Sequence, residues 1–280
     1  MWGILMENNI SSDSSDNIDN CEKSEKNEKN EKREKCVINN ISGTNDLRAD
    51  TVNSNIIEAA GIVKNYGFKK VLKGADLYLK RGECVGIVGA NGCGKTTLLG
   101  VLAGTQKPSG GRLSYGGQNP LKNRKIFSDF IGYVPQENPL MEQLSVLDNL
   151  KFWYCGSKGK LKKDMINGAP AALGLTDKLY TRVDKLSGGT KKRLSIACAL
   201  ANDAPVLIMD EPGASLDIVC KEDIRNYLKD YVSGGGTVII ASHEQEELSI
   251  CDRLYVMRDG VLMEMPGHPD AKTLMEYIRV

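Results

Sequence analysis

Short apolar runs punctuate this chain, and several of them lead into stretches with the spacing of a buried helix face. Residues 84–88 (Cys-Val-Gly-Ile-Val), 130–134, 206–209 and 237–241 are each four or five residues long. They are long enough for one buried strand and too short for a helix. Residues 97–103 carry Leu98, Leu99 and Leu102 at helical spacing, with Gly104 placed as a stop. Residues 145–155 read the same way: Ser145 caps, Asp148 sits at the third position, and Val146, Leu147, Leu150 and Trp153 form a stripe. A strong helix is expected from Ser187, its N-cap, to about Asn202. Another follows Asp217, with Ile224, Leu228, Tyr231 and Val232 on one face and Gly234–Gly236 ending it.

Around this alternation lie segments of other kinds. Residues 56–63 and 71–79 read as strands, with Tyr66 on a glycine-bounded turn between them, and 112–115 as a further short strand. Residues 253–257 and 261–265 form a hairpin across Asp259-Gly260, a type I′ turn signal. Glycines and Pro170 break residues 156–185 into helical pieces, so 137–186 is expected to be a helical insertion between core strands. His268 falls in a loop, and 271–280 is expected to close the chain as a helix capped by Asp270. Residues 1–55 are rich in Asn, Ser, Asp, Glu and Lys, a composition that cannot bury enough apolar surface to offset ordering. They are expected to be a disordered tail, with the ordered domain spanning 56–280. Within the tail, Glu22/Lys26, Glu25/Lys29, Glu28/Lys32 and Glu31/Lys35 stand four apart in the order that favours a solvated helix.

Charge adds an asymmetry. The tail has seven Lys/Arg and eleven Asp/Glu, a balance of −4, so the remaining 225 residues carry +5 of the total +1. Neither value demands nucleic acid as a partner, and none is expected. The eight cysteines show neither Cys-x-x-Cys nor zinc spacing, which fits a reducing cytoplasm. No apolar run approaches a membrane span, and the opening six residues are too short for a signal-peptide core.

The chemistry concentrates at the ends of the apolar runs. Gly89-Ala90-Asn91-Gly92-Cys93-Gly94-Lys95-Thr96 has the Gly-x-x-x-x-Gly-Lys-[Ser/Thr] spacing of a phosphate-binding loop, with a strand before it and a helix after it. Glycine lets several backbone N–H groups turn toward polyphosphate, and the helix presents its positive dipole end. Lys95 is expected to reach the β- and γ-phosphates and the Thr96 hydroxyl to ligate magnesium. Asp210-Glu211 ends another run, at the edge where α/β sheets bind ligands. Asp210 suits a magnesium contact, and Glu211 is expected to face the γ-phosphate and an attacking water. His243 lies at the same edge on the next run. Tyr66 is either plain core or a stacking platform for a base. Lys191, Lys192 and Arg193 crowd the first turn of the Ser187 helix, where the macrodipole disfavours cations; a bound phosphate there is the expected resolution.

Taken in order, these segments resemble an ATP-binding cassette (ABC) ATPase, the motor subunit of ABC transporters, from about Ile56 to Arg258. The Leu-Ser-Gly-Gly run at 186–189 is close to diagnostic of that family. The resemblance implies an α/β P-loop NTPase fold: a RecA-like core sheet flanked by helices, an antiparallel β-subdomain and the inserted helical subdomain. It implies ATP and Mg2+ as ligands. By resemblance, Tyr66 stacks on adenine and Gly89 to Thr97 hold the phosphates. Gln136 touches magnesium and the attacking water, Asp210 ligates magnesium and Glu211 is the general base. His243 contacts the γ-phosphate. Ser187, Gly188 and Gly189 cap the γ-phosphate held by an opposite protomer, and Asp217 belongs to a loop crossing that dimer interface. A second cassette and a separate transmembrane permease are the implied partners, placing the chain on the cytoplasmic face of a membrane.

Three departures stand out. Thr190 replaces the usual Gln after the signature glycines, residues 212–216 vary between base and aspartate at unchanged spacing, and Cys93 occupies a position often taken by Ser or Ala. Cys93 is either an oxidant-sensitive thiol at a helix N-terminus or simply a small residue that fits. Residues 139–150 resemble export-type cassettes, and the lack of a long C-terminal regulatory domain leans the same way. The expected function is therefore an ATP-hydrolysing transport motor, with export as the direction; a permease-free cassette, as in cluster assembly, is the alternative.

Overall fold

The computed structural model describes residues 55–280 apart from Lys158, His268, 270–272, Met275 and 278–280. The tail, the loop assignment of His268 and most of the closing helix fall outside the described residues. The chain runs β1 (Asn55–Tyr66), β2 (Lys69–Lys80), β3 (Cys84–Val88), α1 (Lys95–Leu102), β4 (Gly110–Tyr115), α2 (Lys125–Phe130) and β5 (Ile131–Val134). It continues through α3 (Val146–Tyr154), α4 (Leu161–Asn167), α5 (Ala169–Ala172), α6 (Gly188–Ala199), β6 (Val206–Asp210) and α7 (Ile218–Ser233). It ends with β7 (Thr237–Ala241), α8 (Gln245–Leu248), β8 (Arg253–Arg258) and β9 (Val261–Glu264).

The described strands form two sheets. One is antiparallel, in the order β2-β1-β4; the other is six-stranded, in the order β5-β6-β7-β3-β8-β9, parallel except for β9. Every residue of β3, β6 and β7 is buried, as expected of strands covered on both faces. Their side chains alternate between two apolar layers. Leu207, Met209, Val238 and Ile240 pack with Leu150, Leu194 and Ile224 from α3, α6 and α7. Val206, Ile208, Ile239 and Ala241 pack with Leu98, Leu99 and Leu102 of α1 and with Ile57, Leu77 and Tyr115 from the antiparallel sheet. The fold is thus α/β, with a mixed core sheet flanked by helices and an antiparallel sheet beside it. Helices α3 to α5 and two 3-10 turns lie between β5 and α6.

Several expected boundaries move, each for a physical reason. β1 continues past residue 63 to Tyr66 because Lys64, Asn65 and Tyr66 stay paired with Leu72, Lys70 and Lys69 of β2, while a bulge near Gly61, whose N–H donates to Asp76 Oδ1 at 2.7 Å, is absorbed within the strand. Tyr66 is therefore a strand end and not a turn residue. Residue 130 belongs to the short helix α2 and not to β5. α6 stops at Ala199, where Leu200 caps it and the chain turns through Asp203 at φ 52.

The β8–β9 turn forms as its Asp-Gly pair indicated, with φ 51 at Asp259 and 77 at Gly260. It also docks on β2: Lys73 N–H donates to Gly260 O at 2.8 Å, and a Cβ at Gly260 would lie 2.2 Å from Val71 O. Gly260→Ala is expected to cost about 2–4 kcal/mol, from left-handed strain plus displacement of backbone. Gly67→Ala, at φ 57 in open space, carries the strain alone and is expected to cost about 1 kcal/mol. Urea midpoints at unchanged m would check both; equal midpoints would show that the docking contact contributes nothing.

Candidate active site

Strand register brings the sequence-predicted residues to one edge. Val134 pairs with Met209, Met209 with Ile240, Asp210 with Ala241 and Ala241 with Ile87. The segments leaving β5, β3, β6 and β7 therefore start side by side. They carry Gln136, the loop from Gly89, Asp210 with Glu211, and His243. This is the carboxyl edge at which open parallel sheets take ligands.

At Gly89 the loop passes so close to β8 that a Cβ would sit 2.4 Å from Met257 O and 2.8 Å from Cys93 Sγ. The half-buried Cys93 thiol thus packs inside the loop's own curve. Asn91 and Gly92 are exposed, while Gly94 and Lys95 are buried. Lys95 Nζ donates to Gly89 O at 2.7 Å and lies 3.5 Å from Ala90 O. α1 begins without a side-chain cap and without an acidic residue in its first turn, which leaves its amide end to an anion. Thr96 is exposed at that end and Thr97 half-buried.

Asp210 is almost fully buried, and neither carboxylate oxygen accepts a hydrogen bond. Burial holds its carboxyl above the usual carboxylate range, opposed by the nearby Thr96 hydroxyl and by Lys95 and Lys192. A buried carboxylate with unpaired oxygens beside a hydroxyl is a set of hard oxygen donors of the kind that suits a divalent cation. These residues fit a magnesium ion, and the cradle of loop and helix end fits a polyphosphate.

Glu211 adopts φ 48, unusual for a non-glycine residue, and its N–H donates to Ala241 O at 2.8 Å. Its Oε2 lies 2.8 Å from His243 Nδ1; the glutamate side chain is 11% exposed and the histidine 67%. The pair couples a shielded carboxylate to an imidazole at the surface. Sequence reasoning missed Glu247 on α8, which shares this corner. Burial raises its carboxyl, and the neighbouring Glu244 and Glu211 push the same way. A four-residue helix offers no periodicity from which to find it.

Gln136 is exposed just beyond β5. Tyr66 is half-exposed, at 48%, so it is not plain core. Its hydroxyl donates to Gln106 Oε1, and Lys64 Nζ lies 5.0 Å from its ring centroid. Ser187 caps α6 by accepting from Thr190 N–H at 3.2 Å, and the Thr190 hydroxyl lies 3.0 Å from its own. A Cβ at Gly188 or Gly189 would meet Leu216 or Cys220, at 3.7 and 2.3 Å. Gly188 and Gly189 thus lie against Leu216 and Cys220, on either side of Asp217 in the same chain. Asp217 caps α7, accepting from Cys220 N–H at 2.8 Å.

The three cations at the start of α6 are arranged differently from the expectation of a phosphate there. Lys191 pairs with Glu142 at 2.7 Å, Arg193 with Asp223 at 3.4 Å, and Lys192 turns inward onto backbone carbonyls. Partners within the chain relieve the conflict with the dipole. Cys84, Cys198 and Cys251 are buried, and burial pushes the Cys198 thiol up to about 12, as befits a small hydrophobe.

The family model for the ABC transporter matches residues 72–214, half of the chain. The chain belongs to the ABC transporter family. It is 37% identical over 227 residues to the spermidine/putrescine import ATP-binding protein PotA of Mesoplasma florum, covering 78% of this chain and 63% of that protein. This chain therefore spans less than two thirds of that importer relative. It is 35% identical over 207 residues to the Nod factor export ATP-binding protein I of a Rhizobium species, covering 73% of this chain and 68% of that protein. Among solved structures, the dimeric post-hydrolysis ATP-binding cassette MJ0796 with ADP and Pi superposes at a TM-score of 0.68 with 26% identity. That match covers 75% of this chain and 99% of the other. The ABC cassette fold accounts for the two sheets and for the shared edge at which the candidate residues meet.

Proposed function

We propose that this ABC cassette binds and hydrolyses ATP and drives transport through a separate membrane permease. The observation that carries the reading is the edge itself: a phosphate loop, a buried carboxylate with unpaired oxygens and a Glu211–His243 pair converge there. Lys95 exchanges its carbonyl partners for the β- and γ-phosphates. Thr96, Asp210 and Gln136 would hold a magnesium ion, which supplies charge neutralisation at the phosphates. Glu211 takes a proton from water as that water attacks the γ-phosphorus in line, and ADP and phosphate are the products. His243 orients the Glu211 carboxylate and reaches the γ-phosphate. Tyr66 offers its half-exposed ring to adenine, and Gly89 to Thr97 wrap the phosphates.

In this reading the chain works as a head-to-tail pair with a second cassette. Ser187, Gly188 and Gly189 of one copy close the site of the other, and the Asp217 segment lies in the interface. The dimer of MJ0796 supports this arrangement. Residues 137–186 act as the inserted helical subdomain, and 1–55 as a tail on the 56–280 domain. No helix among the described residues is long and apolar enough to cross a membrane, so a permease must be another polypeptide or another segment. The protein is then peripheral on the cytoplasmic face. On direction the relatives divide between import and export, and the resemblance of residues 139–150 favours export.

Purification of the tagged protein from its native membranes in mild detergent is expected to bring down a multi-span permease, identified by mass spectrometry. The class of that permease fixes the direction. Recovery with cytosolic partners alone would replace this reading with the permease-free one.

A further inference from the structure

We propose that Lys192 is a positioning residue: its buried ammonium ties the Gln136 loop to the helix that begins at the signature glycines, so that the two move as one body. The inference rests on the nucleotide-site reading for its kinetic consequence, though not for its structural one.

Lysine is almost never fully buried unless it is paired, yet Lys192 is only 3% exposed. Its Nζ donates to two successive backbone carbonyls of a distant segment, Pro135 O at 3.2 Å and Gln136 O at 3.1 Å. Those carbonyls belong to the two peptide units flanking residue 136. Holding both from one point fixes the backbone at Gln136 and therefore the direction in which its side chain leaves. Burial pushes the Lys192 ammonium down, while Asp210 and Glu247 favour its charge. The same two residues carry buried carboxylate oxygens without hydrogen-bond partners. The ammonium thus holds the Gln136 loop while the charge of Asp210 acts on it.

The tie is not a single contact. Three residues further along α6, Ser195 Oγ donates to Asn138 Oδ1 at 3.0 Å. Four residues beyond that, Ala199 O lies 2.6 Å from where a Cβ at Gly132 would stand, so β5 packs directly on the helix. Lys192, Ser195 and Ala199 follow the i, i+3, i+7 spacing of one helix face, and that face runs along Gln136, Asn138 and Gly132. The flanking cations face elsewhere, Lys191 to Glu142 and Arg193 to Asp223. α6 therefore carries its capping end, Ser187–Gly189, and the Gln136 loop on one rigid element. A displacement imposed at the signature reaches Gln136 of the same chain.

The test uses the full chain with Lys192→Met, which keeps length but loses donor and charge, and Lys192→Arg, which keeps both. In nucleotide-free protein, backbone 15N order parameters at Gln136–Asn138 are expected to fall from rigid values to below about 0.6 in Lys192→Met, with β6 and β7 unchanged and Lys192→Arg close to wild type. In steady-state assays Lys192→Met is expected to lower kcat about tenfold with KM for ATP within about twofold, because the phosphate loop is untouched. Order parameters at 136–138 equal to wild type, a fall spread over β6 and β7, or unchanged kcat would each overturn the proposal. If Lys192→Met fails to fold, Lys192→Gln, with one amide donor, takes its place under the same criteria. If wild type shows no Glu211-dependent hydrolysis, the nucleotide-site reading fails, and the order parameters still decide the role of Lys192.

Discussion

Glu211→Gln is expected to bind ATP as wild type does and to lose hydrolysis by about 10²–10⁴-fold, the range for removing a positioned general base. The side chain is shielded from solvent, its backbone is held at φ 48 by the Ala241 carbonyl, and its Oε2 meets His243 Nδ1 at 2.8 Å. An amide has the same shape and can keep a hydrogen bond to the imidazole, but it cannot take a proton from water. Single-turnover phosphate release, paired with fluorescent-nucleotide titration, separates the two effects. A variant hydrolysing at the wild-type rate would remove Glu211 from the role assigned to it.

Lys95→Met is expected to act one step earlier and weaken ATP binding about a hundredfold or more. Truncating one partner of a buried, hydrogen-bonded charge pair costs about 2–5 kcal/mol. The ammonium also donates to Gly89 O at 2.7 Å, so the fold itself loses one internal hydrogen bond, worth about 1 kcal/mol. A calorimetric titration should therefore show a large affinity loss beside a small drop in melting temperature. An affinity within about threefold of wild type would mean that the loop does not hold the phosphates through this side chain.

What the sequence made legible is what a short pattern can encode. β3, β6 and β7 were readable because strands covered on both faces are uniformly apolar, and their polar ends then stood out as Asp210-Glu211 and His243. The caps at Ser145, Ser187 and Asp217 were readable as residues placed just before periodic segments, and each accepts a hydrogen bond from the third residue after it. The misses have a different origin. α2 and α8 are six and four residues long, shorter than two helical turns, and have no period to display. The extension of β1 from residue 63 to Tyr66 depends on pairing with β2, Lys64 with Leu72 and Tyr66 with Lys69. The cation cluster at 191–193 looked like a violation because its partners, Glu142, Asp223 and the carbonyls at 135 and 136, are distant in sequence. Tertiary contacts supplied what local rules could not.

The strand order has a consequence for how the protein is made. β3, the strand that carries the phosphate loop, finds both of its neighbours, β7 and β8, only in the last part of the chain. The first of them to be made, β7, ends at Ala241, 153 residues after Val88. At ribosomal speeds of about 5–20 residues per second, synthesis of that stretch takes roughly eight to thirty seconds. Throughout that time a fully apolar strand has no sheet to join, and contacts this distant in sequence close slowly. A nascent chain stalled before β7 therefore cannot assemble the site, because it lacks both the strand that leads to His243 and the first neighbour of β3.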